Sequence, residues 1–168
     1  SPRSQAMISR RSFLIGFVSL GAAAAAGAAA DVALPEGDEE RAGPPAIRFG
    51  ADTCAHCGMV IADRRFAAAW RGPGGAQRFD DIGCLVLLLR RQPDPAAVRA
   101  WVSDFRAESL VPAETAGYVA DAQVNTPMAY RLAAAASLDA AHDLARELGG
   151  HVLDWRALID SWSPEGTR

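Results

Sequence analysis

The sequence lacks lysine altogether, so all 17 of its basic residues are arginine. Three of these arginines lie in the first thirty residues, which contain no acid, and 14 therefore accompany 20 acidic residues in the rest of the chain. An acidic body without a basic stripe argues against nucleic acid as a partner. Aromatic residues are also few, at 7%, but half of all residues are hydrophobic. That share is enough for a core and argues against a disordered chain.

The motifs of common catalytic machinery are missing as well. The sequence has no glycine-rich phosphate loop, no Gly-x-Ser-x-Gly elbow and no set of nucleophile, base and acid. Asp80 and Asp81 form a pair of carboxylates, but they precede an apolar helical pattern, and helix capping explains them better. We therefore do not expect an enzyme.

Residues 1–30 have the pattern of an export signal. Arg10 and Arg11 precede a weakly hydrophobic run rich in Ala and Gly, and the pair is similar to a bacterial twin-arginine signal. The run is too poor in large apolar residues for a good membrane span, and it has no cysteine for lipidation. We predict cleavage after Ala30, a periplasmic destination and no stable membrane anchor after cleavage. Residues 31–45 form an acidic linker rich in Pro and Gly, residues 46–162 the folded domain and residues 163–168 a tail.

The hydrophobic patterns predict an α+β domain of two related ββαβ halves. A helix capped by Asp80 or Asp81 is apolar on both faces and should be well buried. A second helix begins after Ser137 and ends at Gly149. Its apolar residues recur every third or fourth position from Leu138 and should face the core. The predicted strands are 60–62, 66–70, 77–79 and 101–105 in the first half, and 117–120, 127–134 and 151–155 in the second.

The most informative stretch is Cys54-Ala-His-Cys57-Gly-Met59. It places two thiols, an imidazole and a thioether within six positions. Thiolate and thioether together favour Cu(I), whereas zinc gains little from a thioether. We therefore predict a Cu(I) site at Cys54, Cys57 and Met59, with His56 as a possible further donor. A lone histidine in a loop is more often simply exposed, and Met59 is equally well explained as a core residue.

A Cys-x-x-Cys pair in an exported protein has two other interpretations, a structural disulfide and thioredoxin-like redox chemistry. Redox pairs of that kind lie at a helix N-terminus, but here Gly58 and the β-branched Val60 follow, which indicates a loop that enters a strand. Metal binding is therefore preferred to redox exchange, and redox exchange to an inert disulfide. Cys84, in the first turn of an apolar helix, is best explained by core packing. Met128 lies early in the second half and is a candidate ligand.

Five segments occur in an order that resembles the NosL family, the accessory proteins of nitrous oxide reductase maturation. They are CAHCGMVIAD at 54–63, FDDIGCL at 79–85, WVSDF at 101–105, AGYV at 116–119 and TPM at 126–128. The resemblance covers residues 46–162. It implies two ββαβ halves, similar to the organomercurial lyase fold, and a periplasmic Cu(I) chaperone. Cys54, Cys57, Met59 and Met128 fall on the family's metal-associated positions.

The implied partner is a copper enzyme of denitrification, either nitrous oxide reductase or its assembly machinery. One feature departs from the family, because many members are lipoproteins and this signal is of the twin-arginine type. Two other functions stay open from the sequence. The first is a periplasmic thiol–disulfide protein that keeps a partner's copper ligands reduced. The second is a module that docks on a membrane complex without metal.

Overall fold

The computed structural model describes residues 43–164. The predicted export signal, most of the predicted linker and most of the predicted tail lie outside the described residues. Gly43 and Pro45 belong to the folded part, because the Gly43 carbonyl accepts a hydrogen bond from the Arg71 guanidinium and Pro45 is buried. No helix within 43–164 has the length and apolar character to cross a membrane.

The described chain contains seven strands and three α-helices. In chain order they are β1 Ala68–Gly72, β2 Gly75–Phe79, α1 Ile82–Leu89, β3 Arg99–Ser103, β4 Leu110–Pro112, β5 Gly117–Ala120, β6 Ala133–Ala135, α2 Leu138–Leu148, β7 His151–Leu153 and α3 Trp155–Ser161. A single 3-10 turn, Pro95–Ala97, connects α1 to β3.

Two antiparallel sheets confirm the predicted repeat. The first sheet has the order β2-β1-β3-β4 and the second β6-β5-β7. In both, the first strand of the half lies between the second and third and pairs with each of them, as Trp70 with Gln77 and Ala100, and Val119 with Ala133 and Val152. The α+β fold of two ββαβ halves is therefore correct, and β4 is an addition to the first half.

The second sheet is covered on both faces, which explains its alanine-rich strand. Side chains alternate across a strand, so Tyr118 and Val119 point to opposite faces. Tyr118 packs into the core shared with α1, and Val119 packs with Ala141 and Leu144 of α2. The three alanines of β6 are all buried, since small side chains let both layers approach.

Three local predictions were wrong. Residues 60–62 are not a strand, because only Val60 pairs, in an isolated bridge with Thr53. Residues 127–132 form a turn, and the strand begins only at Ala133. Leu138 is 43% exposed at the start of α2, where Ala141 and Leu144 are the buried residues.

Helix α1 is positioned by its N-terminal cap and by its apolar surface. Asp81 is the cap, and its carboxylate accepts a hydrogen bond from the Gly83 N–H. Six of the eight helical residues are buried, as the all-round apolar pattern predicts. This buried helix begins directly beside the cysteine loop.

Candidate metal site

The loop that carries the two predicted thiols is closed by backbone hydrogen bonds. The Thr53–Val60 bridge joins its two ends, and the Cys54 N–H donates to the Met59 carbonyl at 2.8 Å. Inside the loop the Gly58 N–H donates to the Cys54 carbonyl at 3.0 Å. Gly58 has φ +78°, a left-handed conformation in which a side chain would be strained. The glycine after the second cysteine is therefore what lets the loop turn back.

Contacts with β2 fix the loop on the edge of the first sheet. The Ala55 N–H donates to the Arg78 carbonyl at 2.9 Å. At the base of the loop the Asp52 carboxylate pairs with the Arg48 guanidinium at 2.7 Å and the Arg78 guanidinium at 3.2 Å. Hydrogen bonds from Arg48, first from its backbone N–H, lower the pKa of Asp52. The loop is thus held at its base before Cys54 and at Ala55 between the two thiols.

Three sulfur atoms and one carboxylate meet at this loop. One ligand atom from each of Cys54, Cys57, Asp80 and Cys84 lies within 4.8 Å of the other three. Cys54, Asp80 and Cys84 are buried, at 3%, 1% and 0% exposure, and Cys57 is half-buried. Two of the thiols come from the loop and the third, that of Cys84, from the first turn of α1. Asp80 is the residue directly before the α1 cap.

The pKa values of the three thiols in the cluster differ. A hydrogen bond with Cys84 lowers the pKa of Cys54 to about 6. Burial raises the pKa of Cys57 to about 11, and the Cys57 thiol lies 3.4 Å from both carboxylate oxygens of Asp80, to which it donates. The hydrogen bond with Cys54 also raises the pKa of Cys84 well above its usual range. One thiol therefore ionises readily, and the other two keep their protons until a cation compensates the charge.

Sequence reasoning found half of this cluster and missed the other half. Cys54 and Cys57 were predicted from their spacing. Cys84 is buried, as predicted for a packing residue, but its sulfur belongs to the cluster. Asp80 does not cap the helix, since Asp81 does. No local spacing rule links the two missed residues, because Asp80 precedes the extended cap residue Asp81 and so lies outside the helix that contains Cys84.

The remaining predicted donors are placed less closely. Among the described residues His56 lies outside the cluster, half-buried in the same loop. Met59 is 47% exposed. Met128 is half-buried and packs against the apolar core that contains Cys54 and Cys84. Metal binding by these three residues stays a prediction.

Comparison with known proteins assigns the chain to a family. The NosL family profile matches residues 48–162. The chain belongs to the NosL family. Its fold agrees with a crystal structure of the copper chaperone NosL from Shewanella denitrificans at a TM-score of 0.62 and 16% identity, over 71% of this chain and 98% of that one. No curated protein sequence shows significant similarity to it.

The donor set of this NosL-family chain suits a soft metal ion. Thiolates bind Cu(I) and zinc strongly, and three of them in mutual contact match the low coordination numbers that Cu(I) accepts. The Asp80 oxygen is a harder donor, and with three thiolates it would complete the four-coordinate set typical of zinc. The arrangement therefore fits a metal cargo held by sulfur, with the carboxylate at its edge.

Proposed function

We propose that this NosL-family protein is a periplasmic Cu(I)-binding metallochaperone that delivers copper to a copper enzyme. The observation that carries the proposal is the meeting of Cys54, Cys57 and Cys84 within 4.8 Å, with only Cys57 reaching the surface. A metal held by two buried thiolates and one accessible thiolate can be released stepwise. A recipient's soft ligand replaces Cys57 first, and the two buried thiolates follow through shared intermediates.

The recipient that we propose is nitrous oxide reductase or its assembly machinery, and the compartment is the periplasm. The family membership supports the recipient, and the twin-arginine pattern at Arg10 and Arg11 supports the compartment. Cell fractionation of a variant with both arginines replaced by lysine tests the second point. Retention of that variant in the cytoplasm is expected, and unchanged export would argue against this route.

A thiol–disulfide function is the second candidate, favoured by the same contacts. Three free thiols lie close together, and the pKa of Cys54 near 6 makes it a good nucleophile toward a partner's disulfide. However, Cys54 is only 3% exposed, whereas an exchange reaction needs direct access to the attacking sulfur. Metal binding is therefore preferred.

Anaerobic competition with a chromophoric Cu(I) chelator tests the proposal. We expect one Cu(I) per chain and a loss of affinity of at least about tenfold in each of Cys54→Ser, Cys57→Ser and Cys84→Ser, since each removes a thiolate. Thermal unfolding of the apo variants shows whether the domain is still folded. Equal affinity in the triple serine variant would overturn the proposal, and displacement of Cu(I) by zinc under reducing conditions would make zinc the cargo.

A further inference from the structure

A turn from the second half of the domain lies against the start of α1. We call residues 126–131 the strap. Its Tyr130 ring packs directly over Gly83, where an added Cβ would lie 2.2 Å from Tyr130 Cδ2. Tyr130 also meets Trp162 edge-on, with the ring centroids 5.7 Å apart. The strap is therefore seated one residue away from Cys84.

The strap is held in a strained conformation. Ala129 has φ +57° and Arg131 φ +56°, a left-handed region that residues with a side chain rarely adopt and in which they are strained. The Arg131 N–H donates to Thr126 Oγ1 at 3.2 Å, and its guanidinium donates to the Ala122 and Asp121 carbonyls at 3.1 and 2.9 Å. Such strain persists only where the surroundings fix it, and it is concentrated at functional sites.

Asp81 connects this strap to α1. Its carboxylate is fully buried, and one oxygen accepts from the Gly83 N–H at 2.9 Å as the helix cap. The other oxygen accepts from the Met128 N–H at 3.1 Å, 47 residues away in the chain, and the Thr126 side chain also hydrogen-bonds the carboxylate. The cap of α3, Asp154, accepts from the Ala157 N–H of its own helix. Capping α1 needs only one oxygen of Asp81.

We propose that Asp81 is a positioning residue that holds the strap, and with it the Met128 thioether, beside the thiol cluster. The inference rests on the proposed Cu(I) function. The hydrogen bond fixes the backbone of Met128 itself, and its side chain packs on the core that contains Cys54 and Cys84. A single carboxylate thus joins the helix that carries Cys84 to the turn that carries Met128.

The experiment uses methyl-labelled methionine, since the chain has only three methionines. Cu(I) is added anaerobically to the wild type and to Asp81→Asn while the methyl resonances are recorded by NMR. Asparagine is a good N-cap, but its NH2 group replaces one of the two accepting oxygens, so with the cap to Gly83 kept the NH2 group faces the Met128 N–H and cannot accept from it. We expect Cu(I) to shift the Met128 methyl resonance in the wild type and much less in Asp81→Asn, with affinity reduced about tenfold.

Three comparisons separate positioning from general damage. Asp154→Asn alters a cap of the same type that serves only its own helix, and it should leave the Met128 shift and the Cu(I) affinity unchanged. Met128→Leu should lose as much affinity as Asp81→Asn, and the double variant no more than either, because both changes remove the same contact. Asp81→Ser, which also caps but is too short to reach Met128, should repeat the result.

The outcomes distinguish this inference from the proposed function. A wild type that binds no Cu(I) would overturn the function. A wild type that binds Cu(I) through its cysteines with no response at the Met128 methyl would overturn the inference alone, and so would an Asp81→Asn variant with the full wild-type response. Where neither Asp81 variant folds, the wild-type spectrum decides, because a Met128 methyl and amide unaffected by Cu(I) would exclude the strap from the site.

Discussion

Two of the three thiols in the cluster hold protons that a metal ion has to displace. Cys54 ionises near pH 6, but the pKa of Cys57 is raised to about 11 and that of Cys84 is raised further. The Cys57 proton points at Asp80, whose carboxylate is buried beside it. At neutral pH the empty cluster thus carries one thiolate and two thiols, and binding a metal as a full thiolate set releases protons.

This linkage predicts that Cu(I) binding tightens as the pH rises. Between pH 7 and pH 8.5, Cys54 is already ionised, so up to about two protons per metal leave, from Cys57 and Cys84. The affinity should therefore rise by about tenfold to hundredfold per pH unit, measured by competition against a chelator of known proton dependence. In Cys57→Ser the slope of log affinity against pH should fall by about one, because one proton fewer is released on binding. A Cu(I) affinity that does not change with pH would mean that these thiols do not ionise on binding.

The part of the site that sequence reasoning reached was the part made by neighbouring residues. Cys54 and Cys57 belong to one loop, so their spacing alone brings them together. Cys84 reaches them only because α1 packs against that loop, and no local pattern reports this packing. In the sequence, the apolar helix gives a packing explanation for Cys84, and Asp80 is explained by helix capping.

Single elements of this fold are joined by a few specific contacts, and Arg90 provides one between α1 and α3. Its guanidinium, at the C-terminal cap of α1, donates to the carbonyls of Leu158, Ile159 and Trp162 at 3.0, 2.7 and 2.6 Å. The last carbonyls of a helix have no partner inside that helix. Arg90 therefore caps the end of α3 from a residue almost seventy positions earlier.

Arg90→Ala should lower the free energy of unfolding by about 1–3 kcal/mol, the typical cost of losing hydrogen bonds from a charged donor. Denaturant unfolding followed by tryptophan fluorescence measures it, since Trp155 is the first residue of α3 and Trp162 is its C-cap. The neighbouring Arg91→Ala is the matched control, because the Arg91 side chain is exposed like that of Arg90 but makes no hydrogen bond or ion pair within residues 43–164, and its stability should stay within about 0.5 kcal/mol of the wild type. Equal stability of the two variants would show that Arg90 does not hold α3.

Gly83→Ala tests the contact between α1 and the strap. Alanine is the better helix former by about 1 kcal/mol, but its Cβ would lie 2.2 Å from Tyr130 and 2.8 Å from Trp162. Overpacking costs about 1–3 kcal/mol, so we expect a net loss of free energy of unfolding of about 1 kcal/mol and weaker Cu(I) binding. Gly74→Ala, which meets no atom within 4 Å, should have neither effect. A Gly83→Ala protein more stable than the wild type would show that the strap can move away from the added methyl group without loss of stability.

Elements with their own start and stop signals could be predicted, and those that depend on a distant partner could not. Asp81, Ser137 and Gly149 mark the ends of α1 and α2 in the sequence, and the structure confirms them. Residues 127–132 have an apolar pattern that resembles a strand, but their hydrogen bonds join Asp81, the Asp121–Ala122 turn and other strap residues rather than a neighbouring strand. The short β4 exists only because it pairs with β3.

In the assembled domain, three separate parts of the chain converge at or next to the candidate metal site. The cysteine loop lies on β2, Cys84 and Asp80 lie at the start of α1, and the strap from the second half is hydrogen-bonded to Asp81. The two halves also share the apolar core around α1. A ligand held by groups that only the folded chain brings together must stabilise the fold, since the unfolded chain binds it less well.

Cu(I) should therefore raise the melting temperature of this domain. At a free Cu(I) concentration of about 100 times the dissociation constant, the stabilisation is about 2.7 kcal/mol, which for a domain of this size corresponds to a rise of the order of 10 °C. Anaerobic differential scanning calorimetry with a buffering Cu(I) chelator measures the rise. The variant with all three cysteines replaced by serine is the control and should show no rise, because it retains the fold elements but not the thiolates. A similar rise in that variant would mean that Cu(I) stabilises the protein from a different site, and no rise in the wild type would mean that Cu(I) binds the folded domain no better than the unfolded chain.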